Sequence, residues 1–190
     1  MSDQTNFITK VFNVIKNNFQ EFNDVPVRLN IKDYLQIVEE DGRGLACLTT
    51  LIKSTLSIDY TILICKDLYV PEIKNPENYS ILLETNSVYL TSIGIEISHR
   101  SLIVCILLHE FGHLLQKIKF LKHSDIRDLK SLTRINTEFI RVIKRKKGTQ
   151  DTTFENSLFY NFMFDELYAE MFKFKYFPTI WNLVKDIEID

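Results

Sequence analysis

The chain has 190 residues and a net charge of −2, which fits one compact domain and gives no basic footprint for nucleic acid. Hydrophobic residues make up 45% of it, enough for a sizeable core. Its 3 cysteines, Cys47, Cys65 and Cys105, sit in apolar settings, and the N-terminus lacks a charged-then-apolar targeting pattern; reduced, buried thiols and a cytoplasmic protein are expected.

Residues 3–22 carry Phe7, Ile8, Val11, Phe12, Val14, Ile15 and Phe19 at helical spacing. Asp24, Val25 and Pro26 end that pattern, and residues 27–31 alternate as a strand. Residues 33–55 fit no single period; Asp41 to Gly44 reads as a turn with room for a short helix after it. Residues 58–65 are rich in β-branched side chains and predict a second strand, with a loop from Pro71 to Pro76. Residues 80–84 and 88–91 read as two more strands joined by residues 85–87. The 87–92 segment is the expected edge at which an extended peptide would add as a further strand.

The next segment carries the chemistry. An apolar run, residues 101–108, leads into His109-Glu110-Phe111-Gly112-His113, and Leu114, Leu115, Ile118 and Phe120 follow. The run itself is far shorter than the roughly 20 residues that span a membrane. Residues four apart share one helix face, so His109 and His113 point the same way and can grip one zinc ion through ring nitrogens. Glu110 is rotated about 100° from His109, which sets its carboxylate beside such an ion as a general base. A helix apolar nearly all round is buried, and two histidines and a glutamate are costly there unless something satisfies them. The plain alternative is a core helix with two hydrogen-bonded histidines and a surface glutamate.

Asp125 to Lys147 reads as another helix, with a basic end at residues 144–147 that complements the helix dipole, and residues 148–153 form a loop. Residues 161–173 lack Gly and Pro and predict a helix. A catalytic zinc usually takes a third protein ligand. The extended pattern with Gly and His at positions 116 and 119 is ruled out, because Gln116 and Lys119 stand there, and His123 fits no metal-binding spacing. Glu166 and Glu170 share a helix face with Phe159, Phe162 and Met163, and Ala169 is small enough to let this helix approach the histidine helix. Glu166 is the candidate third ligand, and Glu170 a candidate partner for the non-metal nitrogen of His109. Asp165 and Asp151 are the rival ligands, and the competing reading pairs both glutamates with lysines such as Lys173 at the surface. Pro178 is expected to start a last short helix through Trp181, Leu183 and Val184.

Together, residues 109–113 and 166–170 resemble the gluzincin branch of the zinc metallopeptidases. The chain is similar to the catalytic domain of anthrax lethal factor and to the Pro-Pro endopeptidases, which carry a Glu-x-x-Ala-Glu helix after the H-E-x-x-H helix; more distantly it resembles the ImmA/IrrE family. The resemblance covers residues 98–176. It implies a zinc-dependent endopeptidase, with zinc at His109, His113 and Glu166, Glu110 as base, Glu170 behind His109, and a peptide or protein substrate bound as an extended strand. Lethal-factor-like enzymes place an oxyanion-stabilising tyrosine two turns before the glutamate ligand. That position here is Phe159, so the neighbouring Tyr160 is the candidate donor. The departure keeps a second class open: a non-catalytic, zinc-stabilised regulatory or adaptor protein with a relic site. The expected fold is α+β, a zincin-like single domain over 1–190 with a small, mostly antiparallel sheet packed on helices and the metal between two of them.

Overall fold

A computed structural model describes residues 3–33, 46–54, 57–66, 86–123 and 164–187. The elements are helix α1 (Asp3–Asn18), a 3₁₀ turn (Gln20–Phe22), strands β1 (Val27–Lys32), β2 (Ala46–Ser54) and β3 (Ser57–Cys65), helix α2 (His99–His123) and helix α3 (Phe164–Val184), with a short helical segment at 86–92. Helices and strands are mixed, as an α+β chain requires.

The sheet runs in the order β1-β3-β2. Strand β3 pairs parallel with β1 and antiparallel with β2, so the sheet is mixed rather than mostly antiparallel. Tyr60, Ile62 and Ile64 are buried on one face of β3, and Leu63 and Cys65 on the other, as suits a central strand. The stretch with no clear period thus contains β2, whose pairing partner supplies what its own sequence does not declare.

Helix α1 buries Phe7, Ile8, Val11, Phe12 and Ile15, one apolar stripe at helical spacing. Its stripe holds the histidine helix from behind. Phe111 packs on Phe12 at 5.3 Å and on Phe22 at 5.0 Å between ring centroids, while Phe19 packs on Phe172 at 5.1 Å and Tyr176 at 4.8 Å. The α1 region therefore braces both α2 and α3.

Helix α2 starts at a reciprocal cap. The Ser101 amide donates to Ser98 Oγ at 3.1 Å, and the Ser98 amide donates to Ser101 Oγ at 2.8 Å, the logic of a capping box with serine in place of glutamate. Residues 101–108 are all buried. By length and composition His99–Lys119 could cross a membrane, but 78% of its apolar window is buried inside the fold, so its apolarity serves the core.

Besides the sheet's mixed pairing, two further expectations are corrected. Residues 88–91 are helical, not a strand. The segment 86–92 ends with Gly94 at φ +71°, the Gly94 amide donating to Thr91 O at 3.1 Å and the Ile95 amide to Leu90 O at 2.9 Å. That is a Schellman cap, which glycine allows because no Cβ opposes the left-handed conformation. The 87–92 segment thus offers no strand edge. Pro178, in turn, lies inside α3 instead of starting a new helix. Proline removes the N–H that would bond the carbonyl four residues back, that of Phe174. Tyr89 Oη donates to Phe174 O at 2.8 Å, so the freed acceptor is satisfied from the 86–92 segment. The expected helix at 125–147 and the strand at 80–84 lie outside the described residues.

Candidate metal centre

The α2–α3 contact is set by two small residues. A Cβ on Gly112 would lie 2.7 Å from Cα, 3.1 Å from the carbonyl oxygen and 3.2 Å from Cβ of Ala169. Only a glycine facing an alanine lets the helices come this close. The face of α2 bearing His109 and His113 then meets the face of α3 bearing Glu166 and Glu170.

Three potential ligand groups converge there. Nε2 of His109 and Nε2 of His113 are 3.1 Å apart, Glu166 Oε2 is 3.2 Å from His109 Nε2, and Glu166 Oε1 is 3.5 Å from His113 Nε2. A tetrahedral ion bound at the usual ligand distances separates its ligands by about 3.3 Å. The spacing of these three groups is therefore that of a metal's coordination shell. They form a group that can hold a metal ion, with ligand atoms all within 4.8 Å of one another.

The donors are also prepared for a cation. Nδ1–H of His109 donates to Glu170 Oε1 at 2.8 Å. An ionised carboxylate only accepts, so the neutral ring carries its proton on Nδ1 and its lone pair on Nε2, which faces His113 and Glu166. Glu166 is 6% exposed, and while the His109 ring is neutral, with no proton on Nε2, Oε2 of Glu166 has no hydrogen-bond donor among the described residues. An orphaned acceptor of that kind costs about 1–3 kcal/mol unless a cation meets it.

Charge points the same way. Glu110 and Glu166 are buried, and Glu170 pairs with the buried Lys173, its Oε2 lying 2.6 Å from Nζ. With Glu170 balanced by Lys173 and both rings neutral, the Glu166 charge has no cationic side chain beside it among the described residues and suits a bound dication. With protons as the only cations, the cluster adapts. Burial disfavours a charged His109, but hydrogen bonds to Glu166 and Glu170 outweigh it and push the imidazole up to about 9. Burial likewise opposes a charged Glu166, yet the imidazoles of His109 and His113 hold it down to about 2. Glu110 is raised, chiefly by burial, against the pull of both histidines.

A pH dependence follows. Glu166, lowered from 4.5 to about 2, contributes stability that is present above pH 4.5 and lost toward 2. His109, raised from 6.5 to about 9, contributes stability that is full below 6.5 and lost through 9, while the raised Glu110 contributes stability that is full below 4.5 and declines as pH climbs above it. Metal-free protein should therefore gain stability up to about pH 4.5 and lose it from about 6.5 to 9. Metal must displace a proton from His109, so its affinity should climb from pH 6 to 9. Thermal unfolding across pH with and without chelator checks both; a chelated protein that keeps gaining stability from pH 6.5 to 9.5 would contradict this.

The structure thus brings His109, His113, Glu166 and Glu170 together, and buries Glu110 one residue after His109. Tyr168 faces elsewhere: its hydroxyl accepts from Lys119 Nζ at 3.2 Å. Tyr160, Phe159, Phe162, Met163 and Asp151 lie outside the described residues, as do the side chains of Asp165 and His123. Two contributors were not singled out from the sequence. Gly112 sets the helix approach, and a glycine inside a helix, disfavoured by about 1 kcal/mol, was the available signal. Asn86 meets Lys173 from the 85–87 stretch, which reads locally as the connection between two strands, so nothing local announced it. No protein-family model, curated protein or solved structure matches the chain.

Proposed function

We propose that the chain is a zinc-dependent endopeptidase of gluzincin type on a zincin-like fold. The observation that supports this most is the convergence of two imidazole nitrogens and a carboxylate at 3.1–3.5 Å, with the desolvated Glu110 next to the first ligand. His109, His113 and Glu166 would hold the ion. Two nitrogens and one oxygen are a donor set that zinc accepts while keeping a position for water. Zinc, when bound, supplies Lewis acidity toward that water and the scissile carbonyl.

The remaining work falls to the chain. Glu110 takes the proton of the attacking water as its oxygen bonds to the carbonyl carbon. It then delivers that proton to the amine nitrogen as the carbon–nitrogen bond breaks. Burial raises its basicity, which suits a group that must both accept and return a proton near neutral pH. Glu170 keeps His109 in the tautomer that presents Nε2. Tyr160 is the candidate for stabilising the developing oxyanion. Because 86–92 is helical, an extended substrate is expected on β2, the sheet edge that packs against α2 and is unpaired on its outer side among the described residues.

The test is cleavage of a broad peptide library by purified, zinc-loaded protein, with chelated protein as control. Zinc-dependent hydrolysis of internal peptide bonds is the expected result. A folded, zinc-loaded protein inert toward the whole library would leave a non-catalytic regulatory or adaptor role instead.

A further inference from the structure

Lys173 is the most deeply buried cation described, with 2% of the residue exposed. Ammonium groups are rarely placed so deep without a purpose that outweighs desolvation. Its three N–H bonds are all accounted for. Nζ donates to Glu170 Oε1 at 2.8 Å, meets Oε2 at 2.6 Å, and donates to Asn86 Oδ1 at 2.9 Å. Asn86 is itself 2% exposed and opens the segment that Tyr89 ties to α3. Glu170 Oε1 in turn receives Nδ1–H of His109. A single chain of contacts, buried at its Asn86 and Lys173 end and half-buried at the other, therefore runs from Asn86 through Lys173 and Glu170 to His109. Glu170 alone could rotate about its side-chain bonds, or pair with Lys173 at the expense of His109. With the ammonium gripping both oxygens and anchored from its far side, the carboxylate has one orientation left, and that orientation receives His109.

We propose that Lys173, anchored by Asn86, is a positioning residue: it holds the Glu170 carboxylate against Nδ1 of His109 and so presents the lone pair of Nε2 to the metal. This rests on the reading of His109 as a metal ligand. Lys173 touches neither metal nor substrate and acts only through Glu170.

The test is a double-mutant cycle on the full chain, with zinc affinity measured by chelator competition and the His109 tautomer read by nitrogen NMR of metal-free protein above about pH 9, where the ring is neutral. Lys173→Met should weaken zinc binding by about tenfold, the lower end for groups behind a ligand, and should populate the tautomer protonated on Nε2. Glu170→Gln should weaken it by about 10–100-fold. In the Glu170→Gln background, adding Lys173→Met should change zinc affinity less than twofold, because its route to the metal is already cut. A general structural role would instead make the two effects add. The double variant removes both charges together and so keeps the fold accessible if Lys173→Met alone does not fold; Asn86→Leu, which removes the anchor and leaves both charges in place, should then shift the tautomer in the same direction. Unchanged zinc affinity and tautomer in folded Lys173→Met, or additive effects in the cycle, would overturn the inference while leaving the metal site standing. A wild-type chain that takes up no zinc would overturn both.

Discussion

Glu110→Gln is expected to lower peptide hydrolysis by about 10²–10⁴-fold, the range supplied by a positioned general base. Zinc stoichiometry should stay unchanged, because the three groups that converge are His109, His113 and Glu166, not Glu110. Stability should move the other way. Glu110 is 6% exposed, and burial pushes its carboxyl up, so the ionised form is held in a site that disfavours it. The amide has the same shape and no charge to desolvate. Thermal unfolding of zinc-loaded Glu110→Gln should therefore match or exceed wild type, while the library assay shows the loss. Undiminished cleavage by a metal-loaded Glu110→Gln protein would remove the assigned base.

Gly112→Ala sets two effects of opposite sign against each other. Alanine gains up to about 1 kcal/mol over glycine inside a helix. The added Cβ, however, would sit 2.7 Å from Cα of Ala169, a backbone atom that cannot swing aside. Overpacking of this kind costs about 1–3 kcal/mol, and more where a whole helix must move. The clash should win. Helix α3 would then retreat and carry Glu166, one turn before Ala169, away from the two histidines. Lower stability and a zinc affinity weaker by at least about tenfold are expected together. Thermal unfolding and zinc competition on the same preparation measure both. A Gly112→Ala protein that is more stable than wild type and binds zinc as well would show that the helices do not meet at this point.

Much of this centre was legible before any coordinates. A four-residue spacing on a helix admits only one face, so His109 with His113, and Glu166 with Glu170, were paired by backbone geometry alone. Ala169 was legible as a close-approach residue because its size limits what can face it. Lys173 was legible only by half: it does pair with a glutamate, as the competing surface reading held, but in the interior. Burial of a lysine depends on what α3 packs against, which its own sequence does not state.

The misreadings share one cause. Residues 88–91 offer four positions, too few to separate a period of two from one of 3.6. Asn86 and Leu90, four apart, are buried while Val88 between them is 73% exposed, which is a helical pattern visible only once burial is known. Pro178 reads locally as a boundary, and only a hydroxyl from 89 residues earlier makes it an interior residue. Likewise the parallel pairing of β1 with β3 joins strands far apart in sequence, and no local pattern encodes it.

The most direct measurement is anomalous diffraction at the zinc absorption edge from crystals of zinc-loaded protein. The expected result is one peak about 2.0–2.2 Å from Nε2 of His109, Nε2 of His113 and a carboxylate oxygen of Glu166. A peak held without Glu166, or no peak at this crossing of α2 and α3 after reconstitution, would contradict the account.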